Sequence, residues 1–366
     1  MGIMDLFTSQ AMATYMEDVN LKNRGELFFE KYFPAKKKSG LNLSYFKGHN
    51  NLAMDLQPGA FDAAIPLRDR QDLSKVETEM PLFREEMALY ERDRQDLLNL
   101  GEINMANPNS REMALAKELL DQIYDDRYAL YKGAKSAQEF MRANLAVNAS
   151  FTIANASNTG SYVTHTYNFD PDGTWADNNR IEVIGGKWGD YENSDPLTDC
   201  ENVIQKALEK GVVITEIVMG ALAFKDMCSA TKIQRNMNGN NVANMIQYSR
   251  SQIKTYIEDY LNVKILVDEQ NHKKTDGTVE FYYPQNCNVT FLGTPTIGKT
   301  YFGTTPEEAD ARNVPGTDFS LVDTGIGILV YTKMNPNFTK VTRVSEIVLP
   351  SCENIDSVYN LYWSND

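Results

Sequence analysis

Between Asn109 and about Leu145 the apolar positions recur at intervals of three, four and seven. Larger side chains fall at Met113, Leu120, Ile123, Tyr124, Tyr131, Met141 and Leu145, and small ones at Ala116, Ala134 and Ala137. That period is a helix with one apolar stripe. Asn109, with Glu112 three residues on, has the side chains to cap its start. Glu118, Asp121, Asp125, Asp126, Arg127 and Lys132 crowd the other face, and Gly133 weakens it by about 1 kcal/mol relative to Ala. Such a helix would run for roughly 50 Å. With a single stripe and that length, it needs a broad partner, either a sheet or a neighbouring chain.

Before it, LFTSQAMATYMEDVN reads as a short helix, and ELFFEKYFP packs Leu27, Phe28, Phe29, Tyr32 and Phe33 ahead of Pro34. So aromatic an arm needs a surface to bury against, its own or a neighbour's. Lys36, Lys37 and Lys38 follow as a solvated basic hinge. Residues 41–80 predict a long two-stranded excursion with turn signals at Gly48–Asn51 and Pro58–Gly59 and little core of its own. An isolated hairpin is marginal in water, so something outside it should hold it. MPLFREEMALYERDRQDLL predicts a short helix before the long one; Pro66 and Pro81 forbid a continuous helix before Phe83.

After Leu145 the pattern changes to period two. VNASFTIANAS, SYVTHTYNFD and RIEVIGG alternate β-branched and aromatic residues, with turns at Asn158–Gly160 and Asp172–Gly173. Residues 189–315 then mix types. A helix from Pro196 to Lys210 ends at Gly211, VVITEIVM is a buried strand, and GALAFKDMCSATKIQ and NVANMIQYSRSQIKTYIEDYL are helices. NVKILVDEQ is a strand, HKKTDGTVEFYYP a hairpin through Asp276–Gly277, and CNVTFLG a further strand. SLVDTGIGILVYTKM, TRVSEIVLP and NIDSVYNLYW return to strands. The fold class is α+β.

Composition narrows the function classes. The chain has 366 residues, enough for two or three domains at ~150 residues each, and 42% of them are hydrophobic. Mean hydropathy is −0.44, and no apolar run is long enough to span a bilayer. MGIMDLFTSQ has neither the basic start nor the apolar block of a secretory signal. Leu6 stands where myristoylation would need Ser or Thr. The net charge of −14 gives no average field to hold nucleic acid. Cys200, Cys228, Cys287 and Cys352 form no CxxC pair, which argues against a zinc site and fits a reducing cytoplasm. His49, His165 and His272 are too scattered for a triad or a metal cluster. No metal or cofactor is expected. Asp170, Asp172 and Asp177 with Gly173 resemble part of a calcium loop, but the spacing and terminal Glu are missing, and a hairpin tip is the better reading.

Residues 293–300, GTPTIGKT, match the phosphate-cradling G-x-x-x-x-G-K-T after the strand NVTFL. That chemistry needs a helix to follow, with its N-terminus facing the anion. Gly303 and Pro306 stop a helix within one turn, and Pro295 removes one N–H from the cradle. Asp268 is the nearest candidate for a magnesium-binding carboxylate. A P-loop NTPase built around Lys299 is therefore the alternative, and a bend between two strands the plainer reading.

In order, the pieces are an aromatic arm, a long hairpin, a long helix, a mixed α/β unit and returning strands. That order resembles the major capsid protein E family of tailed phages, the lambda type, with the Hong Kong 97-type fold. ELFFEKYFP resembles its N-terminal arm, and LNLSYFKGHNNLAMDLQPGAFDAAIPLRDRQDLSKVETEMPLFREEM its extended loop and approach to the spine helix. EFYYPQNCNVTFLGTPTIGKTYFGTTPEEAD resembles its strand, glycine turn and aromatic-glycine pair, and EIVLPSCENIDSVYNLYW its final peripheral-domain strands.

The resemblance implies an arm at 1–40 and an extended loop at 41–100. It implies a peripheral domain at 101–188 and 316–366, holding the spine helix at about 109–145, and an axial domain at 189–315. It implies a non-enzymatic, self-assembling head-shell subunit of the virion. Assembly would take place in the host cytoplasm, as pentamers and hexamers. The partners would be a separate scaffolding protein, a portal protein and in some cases a decoration protein, with packaged DNA enclosed without specific binding and no membrane. Another virion part, such as the portal or decoration protein itself, is a further alternative. Candidate inter-subunit contacts are Phe28, Phe29, Tyr32, Phe33, Tyr45, Phe46, Leu56, Phe61 and Ile65. Lys47 and Lys75 are candidates for a cross-link by location alone.

Overall fold

The computed structural model describes residues 8–23, 27–47, 74–92, 95, 111–156, 162–183, 186–239, 248–274, 277–333 and 339–364. The long helix spans Arg111–Asn148, 38 residues, a rod of about 57 Å. Tyr124, Tyr131, Met141 and Leu145 of its stripe are buried. The proposed cap at Asn109, and the side chains of Glu112, Met113, Ala116, Leu120 and Ile123, lie outside the described residues. Ala149 follows in the left-handed region at φ 54°, and its amide closes on Leu145 O at 3.0 Å. The carbonyls of Ala146 and Val147 accept from Asn360 Nδ2 at 3.0 and 3.2 Å. The last carbonyls of a helix have no partners within it; here a side chain from a distant strand supplies them.

This spine lies on a six-stranded sheet. Its order is Ala35–Lys37, Thr300–Phe302, Thr339–Pro350, Ile326–Lys333 and Thr317–Val322, with Leu82–Leu89 also paired to Thr339–Pro350. That long strand serves three partners along its length: Lys333 to Gly327, Leu89 to Leu82, and Phe302 to Thr300. The helix Ser9–Asn23 closes one side, burying Met12, Ala13 and Met16 with Tyr128, Tyr131, Val322 and Ile328.

The second sheet is five-stranded, in the order Arg180–Glu182, Val358–Tyr362, Asn288–Leu292, Glu216–Gly220 and Lys264–Asp268. Its central strand is buried throughout. The helices Pro196–Glu209, Ala221–Ser229, Thr231–Met237 and Arg250–Leu261 cover it, packing Val203, Ala223, Ile233 and Ile257 with Ile217, Phe291 and Leu361. Local signals start two of them: Asp195 accepts from Thr198 N ahead of a first-turn Pro, and Ser249 with Gln252 forms a capping box. Three two-stranded ribbons complete the fold: Asn42–Lys47 with Ser74–Glu79, Ser150–Ala156 with Tyr162–Asn168, and Asn271–Lys273 with Val279–Phe281.

Three expectations need correction. Leu82–Leu89 is a strand, and helix begins only after Tyr90; the ladder offered by Thr339–Pro350 overrides the helix-forming run REEMA. The helix read through GALAFKDMCSATKIQ breaks at Ala230, whose ψ of 124° is extended. Lys36, Lys37 and Lys38 form no hinge, because Ala35–Lys37 pairs in parallel with Thr300–Phe302 and Lys38 N donates to Phe302 O at 2.8 Å. Arg180–Glu182 and Val358–Tyr362 belong to the five-stranded sheet, and Thr300–Phe302 to the six-stranded one.

Candidate assembly interface

The aromatic arm folds onto its own chain. Pro34 follows a single 3-10 turn, Glu30–Tyr32, which turns Phe29, Tyr32 and Phe33 inward until all three are buried. Phe29 stacks on Tyr283 with ring centroids 5.9 Å apart. Phe28 stays half-buried. The apolar surface of Phe29, Tyr32 and Phe33 is covered in the single chain.

The hairpin base is likewise held to the core of the single chain. Leu43 and Tyr45 are buried, Tyr45 Oη accepts from Cys352 N at 3.2 Å, and its ring lies 6.3 Å from that of Phe169. The ladder runs from Asn42↔Glu79 to Lys47↔Ser74. Phe46 and Lys75 face each other in that register. The side chain of Phe46, and Leu56, Phe61 and Ile65 altogether, lie outside the described residues. Between Lys47 and Ser74 the sequence carries Leu52, Met54, Leu56, Phe61, Ile65 and Leu67.

Behind the arm sits a buried polar network that sequence reading missed. Arg142, 1% exposed, donates to Thr300 Oγ1 at 3.0 Å, Gln138 Oε1 at 3.2 Å and Glu139 Oε2 at 3.4 Å. Glu139 Oε1 accepts from Phe29 N at 2.6 Å. Gln138 Nε2 donates to Glu346 Oε2 at 2.6 Å, while Glu346 Oε1 is buried with no hydrogen-bond partner among the described residues. Burial pushes the Glu346 carboxyl up to about 8 and that of Glu139 up to about 7, with Phe29 N and Arg142 pulling the other way. Burial likewise raises Asp268 to about 6. Two signals were present in the sequence: polar residues at i, i+1 and i+4 on the spine, and one Glu inside the apolar run of TRVSEIVLP.

GTPTIGKT is a junction between strands. Thr300–Phe302 continues as a strand, so the helix that the P-loop reading requires does not follow the loop. Its glycines serve close packing. A Cβ on Gly298 would lie 1.8 Å from Ser351 O, and one on Gly293 2.2 Å from Val212 Cγ1. Lys299 Nζ pairs with Glu353 at 2.6 Å, and Tyr301 Oη donates to the same carboxylate at 2.7 Å.

Asp170 is spent as a cap. Its two oxygens accept from Trp175 N and Ala176 N at 3.0 Å each, at the start of Thr174–Asn179. The hairpin tip expected at Asp172–Gly173 is instead a turn into that short helix. His272 stacks on Tyr282 at 4.6 Å, and His165 is exposed. Among the described residues there is no group of three or more His, Cys, Asp or Glu placed to hold a metal ion, and no helix long and apolar enough to cross a membrane.

A family model described as phage major capsid protein E matches residues 13–336. The chain belongs to the phage major capsid protein E family. It is a shell-forming subunit, which sets the portal and decoration readings aside. Among solved structures it is similar to a protein described as the capsid protein of a prophage of Escherichia coli CFT073, with a TM-score of 0.60 at 13% identity, over 98% of this chain and 99% of the other. A phage-related protein from Bordetella bronchiseptica RB50 aligns with a TM-score of 0.51 at 13% identity, over 97% of this chain and 96% of that one. The fold is the Hong Kong 97 type. No curated protein matches.

Proposed function

We propose that this capsid subunit joins its copies as pentamers and hexamers through the segment between Lys47 and Ser74. The supporting observation is the hairpin base. Leu43 and Tyr45 fix it to the core, and the sequence beyond supplies Leu56, Phe61 and Ile65, apolar side chains that a neighbour's surface would cover. The five-stranded unit serves as the axial domain around the five- and six-fold axes, and the spine with the six-stranded sheet as the peripheral domain. The subunit carries no catalytic step. Shell formation takes place in the host cytoplasm with a separate scaffolding protein, a portal and, in some heads, a decoration protein.

A net charge of −14 suits a wall that must not adhere to packaged DNA; binding of bare DNA at low salt with a steep salt slope would count against that. The decisive experiment replaces residues 48–73 by a two-residue Asn-Gly turn. The cut falls beyond the buried Leu43 and Tyr45, so the subunit stays folded and soluble but makes no large particles by scattering or negative-stain microscopy. Intact shells from that variant would refute the hairpin's role.

A further inference from the structure

Residues 27–38 touch every large part of the fold. On the five-stranded side, Phe28 N donates to Gln270 Oε1 at 3.0 Å, and Tyr32 Oη donates to Glu216, whose carboxylate also pairs with Lys31 at 3.4 Å. On the spine, Phe29 N donates to Glu139 at 2.6 Å and Glu30 pairs with Lys135 at 3.0 Å. On the six-stranded side the contacts are ladder bonds of Ala35–Lys37 with Thr300–Phe302, reinforced by Lys37 to Glu308 at 2.6 Å. Between them, Ile297 N donates to Tyr32 O at 2.9 Å and Thr300 Oγ1 to Phe33 O at 3.0 Å.

We infer that this segment is a strap that fixes the angle between the five-stranded sheet and the spine helix, and that it opens from the five-stranded end. The asymmetry of its bonds carries the second part. Toward the six-stranded sheet it is held by backbone pairing that extends an existing ladder. Toward the five-stranded sheet its polar contacts are single bonds that each depend on one side chain, Glu216 and Gln270, beside the packing of Phe29 on Tyr283. A side-chain bond gives way to a rotamer change, whereas a ladder must lose several bonds together. Opening at Glu216 and Gln270 leaves the strap attached to the spine and lets the five-stranded unit turn against it as a body, a hinge motion of the kind found between packed units. The strap belongs to the single chain and does not depend on what the hairpin docks against.

The test uses the full-length subunit below its assembly concentration, with dyes on cysteines introduced at two exposed positions, Tyr260→Cys and Leu321→Cys. In the parent protein the distance distribution between the dyes is single and narrow. Tyr32→Phe with Glu216→Gln keeps the ring and removes the charge; it broadens the distribution, and exchange of the Phe28 amide speeds by about tenfold while Lys38 and the spine amides keep their rates. Gln270→Ala gives the same result by the other bond. Lys37→Ala, at the ladder end, leaves the distribution narrow. An unchanged distribution in both five-stranded-side variants overturns the strap, as does exchange that rises uniformly through the spine.

Discussion

The side-chain amide of Gln138 donates to Glu346 at 2.6 Å, sealed between the spine helix and the longest strand. Burial raises the Glu346 carboxyl from 4.5 to about 8, so the folded chain holds this proton more tightly than the unfolded one. The stability it contributes is complete below about 4.5 and is lost as pH rises toward about 8. One group can impose a slope of about 1.4 kcal/mol per pH unit in that window. Glu139 and Asp268 act with the same sign up to about 7 and about 6. Urea unfolding of the subunit across this range should show stability falling with pH, and Glu346→Gln should flatten the upper part of the slope. An identical slope in the variant would show that Glu346 ionises freely in the folded chain.

Gly298 and Lys299 are neighbours with opposite expected sensitivities. Gly298→Ala drives a Cβ to 1.8 Å from the Ser351 carbonyl, and nothing flexible can yield, so the loss should be roughly 3 kcal/mol or more. Lys299→Ala removes a partly exposed pair with Glu353 and should cost less than about 1 kcal/mol. Thermal melts of both variants check this. Shells that form normally with Lys299→Ala agree with a strand junction; turnover of nucleotide that disappears with it would not.

Asp170 supplies both of its oxygens to the amides of Trp175 and Ala176. Asp170→Ala should therefore cost about 1–2 kcal/mol, as lost helix caps do. Because those oxygens already serve the backbone, adding calcium or a chelator should leave the melting temperature of the parent protein unchanged. A calcium-dependent rise would reopen the calcium-loop reading.

Asn360 links the end of the spine to the five-stranded sheet. Its amide serves the carbonyls of Ala146 and Val147, and its oxygen accepts from Thr290 Oγ1 at 2.6 Å. Asn360→Ala strips four buried partners at once, the fourth being Asn288 Nδ2 at 3.4 Å, and unsatisfied buried groups cost about 1–3 kcal/mol each. A loss near 3 kcal/mol in denaturant unfolding is expected; a neutral substitution would mean that water takes over the cap.

Local chemistry was legible in the sequence, and long-range pairing was not. The spine, the helix ending at Gly211 and the ribbon bases follow from periodicity, caps and turn residues, which act within a few positions. REEMA looks helical in isolation and becomes strand only because Thr339–Pro350 lies beside it. NIDSVYNLYW was readable as a strand, but its place between Arg180–Glu182 and Asn288–Leu292 depends on partners far away in the chain. The arm's aromatics announced a need for burial; whose surface would satisfy it was a question of geometry. The Glu139, Arg142 and Glu346 network was hidden for the same reason, since no single stretch contains it.

Val358–Tyr362 sits inside its sheet, with partners on both sides, and Trp363 stacks on Trp188 at 4.7 Å just beyond it. Until residues 358–363 have been synthesised, Arg180–Glu182 is cut off from the rest of the five-stranded layer and Asn288–Leu292 has one open edge. During translation the nascent chain cannot close that layer, and its open strand edges are available to chaperones or to premature aggregation. Any contact that the closed layer makes with another copy must wait for those residues.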